Sequence, residues 1–193
     1  MEVKMSRSEP LSQEQRESAL KDIQGPDRSV IVPAAKALSE DRTTTSRLLE
    51  LLSVESHVDA RHGILYALSW HADLGTWDLM VRILADPQEA PNVRGQAAEG
   101  LSYMFYQVKL DSKEAEAAIK ALLAALKDPS PEVRYCAINT LGATGHLPLI
   151  PVLKEMLADQ TPVPGWVGTV GEEASRALDW IGRAHSQRFK DGL

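Results

Sequence analysis

The pattern of apolar positions repeats itself in two parts of the chain. Residues 86–101 and 128–142 each begin with an acidic, proline-bearing turn and continue as Val-Arg-x-x-Ala-x-x-x-Leu. In the second segment this spacing places Val133, Ala137 and Leu141 at i, i+4 and i+8, on one face of a helix. Such self-similarity predicts a solenoid of stacked helical repeats.

The helix that carries this sequence motif is expected five times, and each copy is preceded by another segment with helical apolar periodicity. The anchor leucines are Leu38, Leu68, Leu101, Leu141 and Leu178, with spacings of 30, 33, 40 and 37 residues. The preceding segments are 13–23, 46–52, 77–85, 113–127 and 147–158. No useful length of the chain alternates with period two, so we expect no strands. The pattern predicts an all-α fold of about five antiparallel helical pairs.

The wording of these repeats resembles the HEAT repeat family, in particular the short repeats of bacterial, phycobilisome-lyase-like proteins. Residues 128–142 match the most typical phrase of that family, Asp-Pro-x-Pro-x-Val-Arg followed by Ala-x-x-x-Leu-Gly. The resemblance covers residues 13–184 and implies one α-solenoid, wound as a right-handed superhelix. Residues 1–12 are then a polar leader that frays, and residues 185–193 a polar tail. Function is left open, because HEAT arrays serve as adaptors, inhibitors, lyases and DNA-repair enzymes.

The resemblance also implies a structural ladder of arginines. In the family, the Arg that follows the Val pairs with an acidic turn residue of a neighbouring repeat. Arg61, Arg94 and Arg134 occupy this position here, and Asp86 and Asp128 are the expected partners. We expect these residues to hold the repeats together rather than to bind a partner.

One face of the second helix in each pair is expected to point away from the core. Positions two after the Ala and two after the Leu form one stripe per helix, because they lie four residues apart. In HEAT arrays this side lines the concave surface. With the flanking Tyr106 and Tyr135, the stripe residues that we assign to partner binding are Tyr66, Trp70, Glu99, Tyr103, Asn139, Arg176 and Trp180.

Aromatic residues are concentrated on this stripe. Six of the ten in the chain lie on or beside it, and Tyr, Trp and Arg are the residue types that most often dominate binding energy. The stripe therefore predicts a surface that binds another protein. The alternative interpretation is that the rings fill space between successive repeats near the helix ends.

The turn at residues 159–169 is a second candidate contact, since it is longer than the corresponding turn at 128–132. It contains two prolines, two glycines and Trp166. Loops of this kind are often functional. Either Trp166 is a tip that contacts a partner, or its ring packs back onto the last repeat.

Charge and targeting signals narrow the class of partner and the location. The formal net charge of −6 makes nucleic acid an unfavourable partner and fits a basic protein. No apolar run approaches the roughly 18 residues of a membrane span, and no signal peptide is recognisable at the start. We therefore expect a cytoplasmic protein with no membrane partner.

Residues with catalytic or metal-binding potential are few. His57 and His62 are five positions apart, whereas two ligands on one helical turn need three or four, so we interpret these and His71 as surface histidines. Cys136 and His146 lack an orienting third group. Phosphate loops and nucleophile elbows are absent from the sequence. We predict no catalytic residue, no metal and no cofactor.

The sequence thus favours a non-enzymatic scaffold that binds another protein through its concave face. A narrower version is an immunity or inhibitor protein that neutralises a toxin. The alternatives left open are an enzyme that handles a chromophore in the manner of a bilin lyase and, less favoured, a nucleic-acid-binding array. Whether the chain self-associates is not determined by the sequence.

Overall fold

The computed structural model describes the backbone of residues 11–191 and the side chains of residues 11–186. This part of the chain forms ten α-helices and no β-strand, which confirms the all-α prediction. The helices are α1 (Gln13–Asp22), α2 (Arg28–Ser39), α3 (Thr45–Val54), α4 (Val58–His71), α5 (Trp77–Ala85), α6 (Pro91–Ser102), α7 (Lys113–Ala125), α8 (Pro131–Ala143), α9 (Ile150–Met156) and α10 (Val170–Asp191).

Each odd-numbered helix packs against the even-numbered helix that follows it, giving five pairs. The chain divides into two compact units, one with α1–α4 and one with α5–α10. In the first unit α2 contacts α4, and in the second unit α8 contacts both α6 and α10. Second helices of consecutive pairs therefore form a continuous layer within each unit.

Local sequence explains where several helices begin. Ser12, at the end of the predicted leader, forms a capping box with Gln15 at the start of α1. Residues 1–10 of that leader lie outside the described residues. Ser112 accepts a hydrogen bond from the Ala115 amide at the start of α7. At the other end, α10 continues to Asp191, beyond the predicted array boundary at residue 184.

The apolar columns of the repeats form the core, as their spacing predicts. Val133, Ala137 and Leu141 of α8 are fully buried, and so are the corresponding residues of α6. The fifth anchor was wrong by one position, because Leu178 is only half-buried. The α10 residues buried instead are Val170, Ala174, Ala177 and Ile181.

A glycine sets the distance between α8 and α10. A Cβ atom on Gly142 would lie 2.6 Å from the Cβ of Ala177 and 2.8 Å from its Cα. Since real Cβ atoms do not approach this closely, the two helices pack at a separation that only glycine permits at this position.

The ladder arginines bridge consecutive repeats of the second unit. Arg94 of α6 forms a salt bridge of 2.8 Å with Asp128, in the turn before α8. Arg134 of α8 forms one of 2.8 Å with Asp159, in the turn before α10, and donates a further hydrogen bond to the backbone carbonyl of Asp128. Each arginine thus links its own helix, through a salt bridge, to the turn between the two helices of the next pair. Asp159 was not among the partners expected from the sequence.

Arg61 and Asp86 of the predicted ladder form hydrogen bonds at the turns beside their own helices. Arg61 donates from Nη1 to the backbone carbonyls of Leu52 and Glu55, within the turn between α3 and α4. Asp86 accepts a hydrogen bond from the backbone amide of Gln88. In both cases the side chain fixes the turn that joins two helices.

His71 is buried, so the prediction that it is a surface histidine was wrong. One ring nitrogen lies 2.8 Å from the hydroxyl of Thr45 and the other 2.9 Å from the backbone carbonyl of Leu38. These two partners satisfy both nitrogens, which is what allows the imidazole to enter the core. His57 is exposed and His62 is half-buried.

Candidate functional site

An aromatic cluster in the second unit joins α8, α10 and the loop between α9 and α10. Its members are Tyr135, Trp166 and Arg176. The ring centroids of Tyr135 and Trp166 are 4.7 Å apart, with planes inclined by 43°. Arg176 donates from Nη2 to the Tyr135 hydroxyl over 3.0 Å, and its guanidinium carbon lies 5.8 Å from the centroid of that ring. The tyrosine is therefore held by the tryptophan and the arginine together.

A buried carboxylate fixes the orientation of this aromatic cluster. Glu173, only 1% exposed, accepts hydrogen bonds from Asn139 Nδ2 over 2.8 Å and from Arg176 Nε over 2.6 Å. Charge-assisted hydrogen bonds of this kind restrict the donor side chains to one arrangement. Burial, followed by the negative charge of Glu173, raises the pKa of Tyr135 to about 12. The phenol therefore stays protonated at every physiological pH.

The loop that carries Trp166 is a tight, hairpin-like turn. The Val163 amide donates to the Gly168 carbonyl, and the Trp166 amide donates to the Val163 carbonyl over 3.1 Å. Gly165 and Gly168 have φ angles of +81° and +106°, in the region that favours glycine. Val163, within this loop, is buried. The turn therefore has a defined shape that turns the Trp166 ring back onto α8.

Of the two interpretations offered for Trp166, the ring does pack back onto the repeats, against Tyr135. Yet 40% of the residue remains exposed. Tyr135 itself is 7% exposed, which differs from the expectation that it lies open beside the stripe. The physical reason is that Trp166 covers it. Tyr135 thus acts as the support of the exposed tryptophan rather than as a surface contact.

On α10 and α6, the remaining stripe residues of the second unit keep one polar or aromatic edge at the surface. Trp180 lies one turn after Arg176 on α10 and is exposed. The Tyr103 hydroxyl donates to Glu99 over 3.2 Å. Burial raises the pKa of Glu99, and the negative charge of Glu132 raises it further. The hydrogen bond from Tyr103 acts in the opposite direction, but the net effect is a raised pKa.

Tyr106 lies apart from the stripe, in a short 3₁₀ turn after α6. It is 80% exposed, more than any tryptophan of the described residues. Its side chain therefore contributes little to packing.

The stripe residues of the first unit are Tyr66 and Trp70, and Tyr66 lies beside a cavity. The rings of Tyr66 and Trp70, one turn apart on α4, have centroids 6.2 Å apart. Tyr66 also lines a cavity of about 250 Å³ between α2 and α4. Trp70 is exposed.

The described side chains contain one thiol and no metal-binding cluster. Burial raises the pKa of Cys136 well above its ordinary value, and the charges of Glu99, Glu132 and Glu173 raise it further, so the thiol is not ionised at neutral pH. Among residues 11–186, no three His, Cys, Asp or Glu side chains come together in a group that could hold a metal ion. Over the same part of the chain, no helix has both the length and the apolarity needed to cross a membrane.

Sequence reasoning missed Glu173 and Asp159. Glu173 stands three residues before Arg176, a spacing that brings two side chains together on a helix, and this was the available signal. Asp159 is the first residue of its turn, as Asp128 is of the turn in the preceding pair. This shared position was the signal that Asp159 would pair with a ladder arginine.

Comparison with known proteins confirms the HEAT resemblance. Residues 88–164, which contain α6 to α9, match the family described as HEAT repeats. The chain is also similar to one chain in the solved complex of CpcE and CpcF of phycocyanin lyase from Nostoc sp. PCC7120. The two are 22% identical with a TM-score of 0.70, and the match covers 86% of this chain and 99% of that chain. No curated protein matches the chain. Together these matches confirm an α-solenoid fold of HEAT-like pairs.

Proposed function

We propose that this protein is a non-enzymatic scaffold that binds another protein through the outward face of α8 and α10. This is the face that the sequence predicts to be concave. The observation that carries the proposal is the held geometry of the aromatic cluster. The Trp166 ring packs against the Tyr135 ring, and the Tyr135 hydroxyl accepts a hydrogen bond from Arg176, while 40% of Trp166 stays exposed. A partly exposed tryptophan held in one position is a ready contact for a partner.

The energetic reason is pre-organisation. A flexible tryptophan would lose conformational freedom on binding, at a cost of roughly 0.5–1.5 kcal/mol per side chain. The loop hydrogen bonds and the ring contact with Tyr135 have already restricted Trp166 in the free protein. Trp180, one turn along α10 from Arg176, extends the same face with a second exposed indole. Tryptophan and arginine are enriched among residues that dominate interface energies.

The charge of this face favours a partner segment with basic residues. Glu99 of α6 and Glu132 of α8 are partly exposed carboxylates. Glu173 is buried and its charge is paired with that of Arg176. The chain as a whole carries a net charge of −6. Complementary charge would speed the encounter with a basic partner, and salt would weaken this contribution.

The experiment is affinity capture from the native lysate with tagged protein, read by mass spectrometry. Trp166→Ala and Trp180→Ala variants should lose a partner that the wild type retains. Leu74→Ala is the matched control, since it removes a similarly exposed apolar side chain (42%) that lies outside the stripe. Circular dichroism checks the fold of each variant. If all three variants retain the same proteins as the wild type, this face does not bind the partner.

A narrower role, an inhibitor or immunity protein that neutralises a toxin, stays a prediction, as does a cytoplasmic location. Co-expression tests the first: a toxin encoded beside this gene should lose its effect on the host cell when this protein is present. The Trp166→Ala variant should then protect less well than Leu74→Ala. If cells are killed equally with and without the protein, this role is refuted.

A lyase-like function is the second candidate, because the chain has the fold of a protein from a phycocyanin lyase complex. That neighbour is found as a complex of two proteins, CpcE and CpcF, which also supports a function that depends on a protein partner. The test is to incubate the protein with a bilin and an acceptor protein, with and without the captured partner. An unchanged absorption spectrum in every mixture would exclude this candidate.

A further inference from the structure

The cavity between α2 and α4 has apolar walls. Ile31 and Ala35 of α2 and Gly63 of α4 are buried residues that line it, and Val32 and Tyr66 complete the wall nearer the surface. A Cβ atom on Gly63 would lie 2.7 Å from Ile31 Cγ2 and 3.5 Å from the Cβ of Ala35, so α2 and α4 are already in close contact at Gly63. A volume of about 250 Å³ lies just below the usual range of small-molecule pockets, which begins at roughly 300 Å³. The space therefore suits a small ligand.

The polar groups at this cavity are predominantly cationic. Arg28 and Lys36 of α2 line it, with Asp59 and His62 of α4. Asp59 lies 3.9 Å from Arg28 Nε, a long contact that leaves both side chains partly in water. Two cations and one carboxylate give the cavity a net positive charge in a protein whose net charge is −6. An anionic head group is therefore favoured here, against the trend of the whole molecule.

His62 adds a neutral hydrogen-bonding group to the cationic ones. Burial lowers the pKa of its imidazole, the positive charge of Arg28 lowers it further, and Asp59 opposes this. The ring is therefore uncharged at neutral pH, with one nitrogen able to donate and the other able to accept. A pocket with apolar walls and a few convergent polar groups is the usual form of a small-molecule site.

We infer that this cavity binds a small amphipathic carboxylate, with its apolar body against Ile31 and Ala35 and its carboxylate near Arg28 and Lys36. The body is either an aliphatic chain or a single aromatic ring. Both share the chemistry that the cavity offers, an apolar wall with a cationic mouth. The inference is independent of the proposed function, because it uses none of the residues on α8 or α10.

The first test compares ligands that differ only in the head group. Isothermal titration calorimetry at pH 7 on the full chain would use octanoate, 1-octanol and octylammonium, with 3-phenylpropionate as the aromatic carboxylate. For a ligand of this size we expect the octanoate Kd to be on the order of 0.1–1 mM. Octylammonium should bind at least about tenfold more weakly, because its charge is repelled by the two cations. Tighter binding of 3-phenylpropionate than of octanoate would identify the ring as the preferred body.

Variants locate the site. Lys36→Glu reverses an exposed charge and should weaken octanoate binding about fivefold, whereas Lys120→Glu makes the same change on α7 and should leave it unaffected. Ala35→Leu fills the cavity and should abolish binding. Should Ala35→Leu fail to fold by circular dichroism, Lys36→Glu still decides the matter. The inference is overturned if octanoate does not bind, if octylammonium binds equally well, or if Lys36→Glu binds octanoate like the wild type.

Discussion

Breaking the Arg94–Asp128 salt bridge should destabilise the protein several times more than breaking the Arg47–Glu50 salt bridge. The two pairs have similar lengths, 2.8 and 2.6 Å, but the first is 7% and 14% exposed and the second 59% and 64%. Arg94 also donates from Nε and Nη2 to both carboxylate oxygens of Asp128. Burial and bidentate geometry, not distance, distinguish the pairs.

The expected magnitudes depend on that difference. An exposed pair contributes about 0.2–1 kcal/mol to the free energy of unfolding, and the i,i+3 pair on α3 belongs at the lower end. Removing one partner of a buried pair typically costs about 3–5 kcal/mol, because the other charge is left uncompensated. Since 14% of the Asp128 side chain still contacts solvent, we expect a cost of about 2–4 kcal/mol for Asp128→Asn.

Urea denaturation of two double-mutant cycles measures both pairs. Asp128→Asn is the suitable variant because an amide oxygen can still accept the hydrogen bond that the Ser130 amide donates at this position. Combined with Arg94→Met, it should give a coupling energy of about 1.5–3 kcal/mol. The cycle of Arg47→Ala and Glu50→Ala should give less than about 0.5 kcal/mol. Equal coupling energies in the two cycles would refute the claim that burial sets the strength of these pairs.

Two further predictions concern packing and pH. Gly142→Ala should lower the free energy of unfolding by about 1–2 kcal/mol, because overpacking against α10 outweighs the gain of about 1 kcal/mol in helix propensity. Gly182→Ala should instead raise the free energy of unfolding, because the new Cβ would have no neighbour within 4 Å. Thermal denaturation of both variants and the wild type measures the two effects. Burial alone would raise the pKa of Asp159, but hydrogen bonds from Thr161 and Arg134 lower this pKa below its ordinary value. The contribution of the Asp159 carboxylate to the free energy of unfolding is therefore present above the unfolded pKa of about 3.9. It is lost as the pH falls through the lower pKa of the folded state. The stability difference between wild type and Asp159→Asn should accordingly narrow between about pH 5 and pH 2, and a constant difference over that range would contradict the assignment.

The repeats could be predicted from the sequence because their signal is local. Val133, Ala137 and Leu141 lie on one helical face by spacing alone, and burying that face requires a neighbouring helix. The same spacing misassigned Leu178 in the last pair. In this last pair α10 packs against α8 and α9, and the face that it buries against them carries Ala177 and Ile181.

The burial of His71 could not be predicted, since it depends on groups that are distant in sequence. Its two hydrogen-bond partners lie 26 and 33 residues earlier in the chain, on α3 and α2. Sequence spacing identifies which residues share a helix face, but it does not say which polar atoms a neighbouring helix presents there. Without those partners a histidine is correctly expected at the surface.

The stripe is a similar case, in which the residues were identified but their contacts were not. Spacing placed Tyr135 and Arg176 on the same side of their helices, yet they are 41 residues apart and meet only because α8 packs against α10. The position of Trp166 depends on the turn that two glycines with positive φ permit. Periodicity carries no information on the path of such a loop, so the support of Trp166 by Tyr135 emerges only from the structure.

Asp128 and Asp159 hold the same position in consecutive repeats. Each forms a salt bridge with the arginine of the preceding repeat. Each also accepts a hydrogen bond from a backbone amide two residues later, that of Ser130 in one case and of Thr161 in the other. The two aspartates differ in the segments that follow them, because Asp159 is the first residue of the loop that carries Trp166. The backbone carbonyl of Asp159 also accepts a hydrogen bond from the Gly171 amide at the other end of this loop.

Asp159→Ala and Asp128→Ala are therefore matched changes with different expected effects on the candidate site. Both remove a salt bridge and a turn hydrogen bond, so both should lower the midpoint of urea denaturation. Only Asp159→Ala loosens the loop, which should uncover Tyr135 and lower its pKa from about 12 towards its ordinary value of 10.0. Spectrophotometric titration of the tyrosines in each variant measures this. If the Tyr135 pKa falls equally in both variants, each ladder aspartate affects the aromatic cluster only by changing the stability of the whole protein. A fall in Asp159→Ala alone would make Asp159 a positioning residue for Trp166.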